Sequence, residues 1–342
     1  MTSSTSSFAR LVRNPSVVPI GVAVLLAVVA IAMSSVVSKG VANQLTELLL
    51  LVTLALAWNL VGGYGGQFSL GHSIFVGMGG YATAVILTLF KTPLIPTILA
   101  AGLASAFIGV LLAYPLLRLR GPYLAVGSLG MTLAVYGWMI NWDFTKASAS
   151  YQIPKYAMLS IPTLFVYTIV LALVAFIAVF VLVRSPLGLR LVALRDDETG
   201  AASLGVRRVR TLIPVWALSG LLTGLMGSLG ALQKGTITVD AAFALQFSLD
   251  AVIICVIGGL GTLSGPLIGA VIVYYLRQFS DDYSNLALVI EAVVVILVVR
   301  FVPGGVVGIF SRLIFALRVR IGKPPASIAT QALPVVKRRA RR

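Results

Sequence analysis

The chain is built on one recurring pattern, an apolar run long enough to cross a lipid bilayer followed by a short polar or charged break. The runs are Val17 to Val37, Leu45 to Val61, Ser73 to Phe90, Leu94 to Leu117, Tyr123 to Ile140 and Ile161 to Val183; after a charged interruption come Thr211 to Leu232, Phe247 to Leu276 and Leu286 to Val302. A helix needs about 20 apolar residues to span a hydrocarbon layer, and a helix satisfies its own backbone N–H and C=O groups there. The pattern predicts an all-α fold, a polytopic membrane helical bundle. Composition agrees, since 59% of the 342 residues are hydrophobic and 11% charged, against roughly 25% charged in soluble domains. A surface that poor in charge faces lipid rather than water.

Charge placement sets the number of crossings. The run Phe247 to Leu276 is broken by Gly258, Gly259, Gly261, Gly265 and Pro266, residues that weaken or end helices. Basic loops stay in the cytoplasm, which puts the six arginines of Arg184 to Arg210 and the nine Lys or Arg after Pro303 on one side. An even number of crossings separates them when the broken run crosses twice, giving about ten in all. Twenty of the 26 basic residues then lie inside, and Lys39, Lys91, Lys146, Lys155, Lys234 and Arg277 lie outside. Val17 to Val37 is longer than the apolar core of a cleaved signal peptide and is read as a retained span. Residues 1–16 form a cytoplasmic N-terminal leader, 17–303 the transmembrane domain with a charged loop at 184–210, and 304–342 a basic cytoplasmic tail suited to anionic lipid.

Much chemistry is excluded. One cysteine, Cys255, and one histidine, His72, allow no intrachain disulfide and no histidine or cysteine metal cluster. The sole Gly-Lys, Gly322-Lys323, is followed by Pro324, so no phosphate-cradling loop exists, and neither H-E-x-x-H nor G-x-S-x-G occurs. The chain is read as a non-enzyme without a cofactor, and its net charge of +16 is read for orientation rather than for nucleic acid.

Two glycine-rich breaks stand out, Gly62-Gly63-Tyr64-Gly65-Gly66-Gln67-Phe68-Ser69-Leu70-Gly71-His72 and Gly258-Gly259-Leu260-Gly261-Thr262-Leu263-Ser264-Gly265-Pro266. Broken segments in corresponding positions of two halves suggest an internal repeat and unwound backbone along a solute pathway, with Gly65, Gly66, Gln67, Ser69, Gly71, His72, Gly259, Gly261 and Ser264 as its candidate lining. Glycines also simply let helices approach, as Gly220, Gly224, Gly227 and Ala231 on one face are placed to do. His72 is read as a hydrogen-bonding cap at a chain turn or as a proton relay. Asp250 and Glu291 lie within apolar runs, where a carboxylate marks function unless it sits hydrated at the end of a crossing.

The charged interruption, Ala193-Leu194-Arg195-Asp196-Asp197-Glu198-Thr199-Gly200-Ala201-Ala202-Ser203-Leu204-Gly205-Val206, predicts a short helix capped by Asp196. Asp197 and Glu198 would stand in its first turn and Gly205 at its end. Ala201, Ala202 and Leu204 would give it a small apolar surface for a partner.

These segments, Arg195 to Glu198 through Ala201 to Gly205 with the two glycine breaks, resemble the permease subunits of branched-chain amino acid ABC importers, the M-type leucine/isoleucine/valine subunit. The resemblance runs from about Leu45 to Val302 and includes Arg118-Leu119-Arg120-Gly121-Pro122-Tyr123-Leu124-Ala125. It implies an inner-membrane, multi-pass permease with both termini cytoplasmic. Arg195, Asp196, Asp197, Glu198, Ala201, Ala202, Leu204 and Gly205 would then form the coupling element against a cytoplasmic ATPase. It also implies two ABC ATPase subunits, a second homologous permease and an external substrate-binding protein. After Asn141-Trp142 the family carries Thr-Gly-Gly, whereas this chain reads Asp143-Phe144-Thr145-Lys146-Ala147. Alternatives to a branched-chain amino acid importer are an ABC permease for urea or a short amide, an ion-coupled secondary transporter using Asp250 or Glu291, and a non-transporting membrane scaffold.

Overall fold

The computed structural model describes residues 18–34, 37–142, 150–281 and 304–309, with the isolated positions 293, 296 and 300. The leader at 1–16, most of the basic tail, Glu291, Asp143 to Ala149 and most of the run Leu286 to Val302 lie outside the described residues. The helices in order are α1 (Val18–Met33), α2 (Lys39–Asn59) continued by a π-helical turn (Leu60–Tyr64), α3 (His72–Phe90), α4 (Leu94–Leu116), α5 (Pro122–Ile140) and α6 (Ile161–Arg184). After them come α7 (Pro186–Asp196), α8 (Glu198–Ser203), α9 (Arg208–Lys234), α10 (Val239–Ala242), α11 (Gln246–Gly258) and α12 (Gly265–Asp281). The only strands among the described residues are β1 (Tyr151–Gln152) and β2 (Thr236–Ile237), antiparallel with Tyr151 opposite Ile237.

Seven helical segments are long and apolar enough to cross a membrane, the seventh being Val239–Gly258. Ten crossings were expected from the sequence; α1, with 16 residues, and α12, with 17, are shorter than the seven. The run Phe247 to Leu276 is divided as its glycines predict, because α11 stops at Gly258 and α12 starts at Gly265.

Local chemistry explains the boundaries. Ser38, Ser160 and Ser185 cap α2, α6 and α7 by accepting from amides of the first turns, a role in which a short hydroxyl replaces a missing helical acceptor. Pro122 opens α5, where its missing N–H costs nothing. Within the spans, buried threonines return their hydroxyls to the preceding turn, as Thr46 to Ala42 O and Thr168 to Leu164 O, so these hydroxyls are not stranded in lipid.

The centre of the bundle is α9, which lies against α4 and α3. Lipid gives no hydrophobic drive for helix association, so small residues that permit close backbone approach carry the packing. A Cβ on Gly220 would sit 2.8 Å from Ser105 O, and one on Gly227 would reach the Val76 Cα at 2.9 Å. The stripe of Gly220, Gly224 and Gly227 is therefore a packing face. The most hydrophobic windows of α2 and α9 are each 67% buried and that of α5 only 22%; Leu103, Phe107 and Val126 on α4 and α5 are exposed, as lipid-facing residues are.

Alternation of the helices sorts the molecule into two ends. One gathers the glycine breaks, Arg118, Arg120 and the segment α7–α8, joined by the contacts described below. The other holds Lys39, Lys91, Lys155 and Lys234 near the β1–β2 ladder, where Ile153 N donates to Gly235 O at 2.9 Å.

Candidate functional site

The charged interruption folds as two helices rather than one. Helix α7 runs to Asp196, and Asp197, not Asp196, caps α8: its backbone is extended, and its Oδ1 accepts from Thr199 N and Gly200 N at 3.0 Å each. Only a residue outside the helix can aim its carboxylate at the free amides of the next turn, and Asp196 is still inside α7. Gly205 ends α8 as expected, with φ at +84°. Its N–H bonds Ala202 O at 2.9 Å and the Val206 N–H bonds Ala201 O at 3.0 Å, the paired bonds of a left-handed helix terminus.

Arg195 points into the bundle. Its Nε donates to Asp196 Oδ1 at 2.9 Å and its Nη1 to Gly63 O at 3.3 Å. Two glycines make room for it. Gly66 has φ +65° and Gly261 φ +68°; a Cβ would come 2.8 Å from Arg195 Cγ at Gly66 and 2.7 Å from Arg195 Nη1 at Gly261. A positive φ together with this crowding admits glycine alone. The guanidinium therefore touches both glycine breaks at once.

The breaks are also tied to each other. Asn59, fully buried, donates from Nδ2 to Thr262 O at 2.8 Å and accepts from Gly261 N at 3.0 Å through Oδ1. One side chain thereby satisfies a donor and an acceptor left by the interrupted helix α11–α12. Nearby, Arg208 donates from Nη1 to Leu117 O at 2.5 Å and from Nη2 to Gln67 Oε1 and Leu119 O at 2.9 Å each. Glu198 lies 3.3 Å from Arg120 Nη2 and 3.7 Å from Arg208 Nε, which holds α8 to the start of α5.

Of the residues expected to meet a partner, Arg195, Asp196, Asp197, Ala202, Leu204 and Gly205 are exposed, Leu204 at 85%, and Glu198 is half-buried. Ala201 is buried and offers no surface, a correction to the apolar patch read from sequence. Leu189 on α7 is exposed at 72% and takes its place as the second apolar group.

Among the residues expected along a pathway, Gly65, Gly66, Gln67, Ser69 and Gly71 stand in the loop between α2 and α3, and Gly259, Gly261 and an exposed Ser264 between α11 and α12. His72 is not a cap. Its ring is fully buried, and Gly71 holds the cap position. Ser219 Oγ donates to Ala57 O at 2.8 Å, so its single hydrogen is spent and His72 Nε2, 2.8 Å away, donates to it. The neutral Nε2–H tautomer follows, with Nδ1 lacking a partner among the described residues. Asp250 is not hydrated at a helix end either. It is 2% exposed, forms a two-pronged pair with Arg277 (Nη1 to Oδ2 2.7 Å, Nη2 to Oδ1) and accepts from Gln246 Nε2 at 2.8 Å.

Asn59 and Arg208 were not singled out from sequence, though both carried a signal. Asn59 is an amide closing an apolar run directly before the first glycine break. Arg208 puts a cation at a helix start, where the dipole disfavours it, and such a cation needs outside acceptors. Among the described residues no group of three His, Cys, Asp or Glu side chains is placed to hold a metal.

An all-helical bundle with seven membrane-length segments, interrupted helices and a charged two-helix loop docked on those interruptions defines a multi-pass membrane protein of the transporter type. The sequence profile described as branched-chain amino acid transport system / permease component matches residues 40–329, and the chain belongs to that family. It is similar to the high-affinity branched-chain amino acid transport system permease protein LivM of Salmonella typhimurium strain LT2, 28% identical over 311 residues, 82% of this chain and 73% of that protein. The LivM of Escherichia coli K12 is likewise 28% identical over 313 residues, with the same shares covered. The autoinducer 2 import system permease protein LsrC of Escherichia coli O9:H4 is 31% identical over 194 residues, 55% of this chain and 54% of that protein. No solved structure matches the chain significantly.

Proposed function

We propose that this chain is the transmembrane permease subunit of an ATP-driven importer for branched-chain or related amino acids in a bacterial inner membrane. Its partners are two cytoplasmic ATPase subunits, a second homologous permease and an external binding protein. Residues 17–303 form the permease domain with ten crossings, the leader and the basic tail are cytoplasmic, and the loop end of the bundle faces the cytoplasm. The observation that carries the reading is the position of Arg195, with its guanidinium against Gly63 and Gly261 and its aliphatic stem against Gly66. A load applied to α7 and α8 by an ATPase moves that arginine, and the two unwound breaks, clasped by Asn59, move with it. Coupling needs such a two-state element that both sites bias.

In this reading the exposed Asp196, Ala202, Leu204 and Gly205 meet the ATPase. Arg195, Asp197, Glu198 and Ala201 hold the loop in shape. The backbone of Gly65, Gly66, Gln67, Ser69, Gly71, Gly259, Gly261 and Ser264, with His72, borders the solute's exit. Glycine breaks give these segments freedom that a continuous helix lacks. An ion-driven transporter using Asp250 is disfavoured, because that carboxylate is already held by Arg277 and Gln246.

The test is to purify the tagged chain gently from its native membrane, identify what accompanies it, and compete uptake of labelled leucine with urea and short amides. Co-purifying P-loop ATPases and uptake resisted by amides support the reading. A chain that emerges alone while still transporting on an ion gradient contradicts it.

A further inference from the structure

A cavity of about 610 Å³ opens at the end of the bundle opposite the charged loop, among α2, α3, α9, α10, α11 and α12. Such a volume lies in the range of small-ligand sites, roughly 300–1,000 Å³. None of the glycine-break residues lines it, so it is a place distinct from the site above.

Its lining is graded. On α2 the wall passes from Asn43 and Glu47 to Leu50 and Leu51 with depth, and on α9 from Lys234 and Gln233 to Met226. The mouth is therefore polar and the floor apolar. Four charges stand on the wall, Glu47 and Asp250 negative, Lys234 and Arg277 positive, and they balance. Two of them are already spent on each other, because Arg277 grips the buried Asp250. Glu47 is exposed, and Lys234 Nζ stands 6.0 Å over the Phe247 ring.

A net anion or net cation gains nothing overall from a balanced wall, because each attraction is matched by a repulsion at similar range. A zwitterion meets both remaining signs, with its carboxylate toward Lys234 and its ammonium toward Glu47. An aliphatic tail then lies against Leu50, Leu51 and Met226 without leaving a polar group unpaired. We infer that this cavity is a binding site for a zwitterionic α-amino acid with an aliphatic side chain, carried by the permease chain itself. The inference rests on the proposed import function and adds a second point of selection beyond a separate binding protein.

Gly230 supplies the test. It lines the cavity, and a Cβ added there meets nothing within 4 Å, so a side chain enters empty space without displacing the fold, and replacing a helical glycine favours the helix. The sole native cysteine, Cys255, is buried, which leaves Gly230→Cys as the reactive thiol. In membrane vesicles holding the full chain but no binding protein, saturating L-leucine is expected to slow alkylation of Gly230→Cys about tenfold by mass action. Isopentylamine and 4-methylpentanoate, each lacking one charge, are expected to protect far less, and adding Glu47→Gln to the cysteine variant removes most of the leucine protection. Equal protection by all three compounds, or by none, overturns the inference. Gly230→Leu is expected to assemble with the same ATPases and to abolish leucine uptake; uptake at the parent rate also overturns it. Failure of the parent importer to take up any amino acid would instead strike the proposed function, and it is read separately from the alkylation.

Discussion

Arginine does opposite work at the two ends of this bundle. At the loop end Arg195 and Arg208 donate to backbone carbonyls of Gly63, Leu117 and Leu119, and glycine removes every Cβ that would keep Arg195 away. At the far end Arg277 grips a carboxylate, Asp250, beside an open cavity. The first arrangement cross-links interrupted helices, and little room is left around it. The second neutralises a buried charge beside a cavity. In the proposed reading one end transmits a displacement and the other admits a solute, and the difference lies in what the guanidinium bonds rather than in how much charge each end carries.

The sharpest way to break that contrast is Asn59→Leu. It leaves the Gly261 N–H and the Thr262 C=O without their buried partner, at roughly 1–3 kcal/mol each. Thermal unfolding of the purified chain should fall clearly, and uptake should be lost even at temperatures where the chain stays folded. Next comes Gly261→Ala, which forces a Cβ into a left-handed backbone for about 1–2 kcal/mol and pushes Arg195 Nη1 aside. In a double-mutant cycle Arg195→Ala should recover the crowding part and not the backbone part.

At the far end, Gln233→Ala removes the 3.0 Å bond to Asn43 Oδ1 that ties α9 to α2. A loss of about 1 kcal/mol in unfolding should come with unchanged ATPase association, which would sharpen the division between the ends. Glu198→Arg sets a third cation beside Arg120 and Arg208; with Glu198 one-third exposed, stability should change by about 1 kcal/mol or less, while co-purification of the ATPase weakens. Least disturbing to the fold is Leu204→Asp. A side chain 85% exposed should leave stability within about 0.5 kcal/mol and still reduce ATPase association, measured by pull-down.

Much of the architecture was legible because lipid imposes so plain a rule on sequence. Within the described residues the apolar runs from Val17 to Leu276 became helices within a few residues of their expected bounds, and the glycines at Gly258 and Gly259 ended α11 where they stand. Gly205 closed α8 by its freedom at positive φ. What misled was chemistry that depends on direction. Asp196 read as the cap, but α7 runs on to Asp196, which gives the cap to Asp197. Arg195 read as an outward contact, yet its side chain reaches glycines 66 or more residues away in either direction along the chain. Ala201 turned inward, and His72 bridged helices rather than capping one, because a bond such as that from His72 to Ser219 spans 147 residues and leaves no local pattern.

The central claim is that Arg195 carries motion from the loop to both glycine breaks. Its most direct test is the number of leucine molecules imported per ATP hydrolysed by the reconstituted importer, compared between the parent and Arg195→Ala. The account predicts that the variant assembles, hydrolyses ATP and imports about tenfold fewer molecules per ATP, a coupling change of about 1.4 kcal/mol. An unchanged ratio in a correctly assembled variant would contradict it.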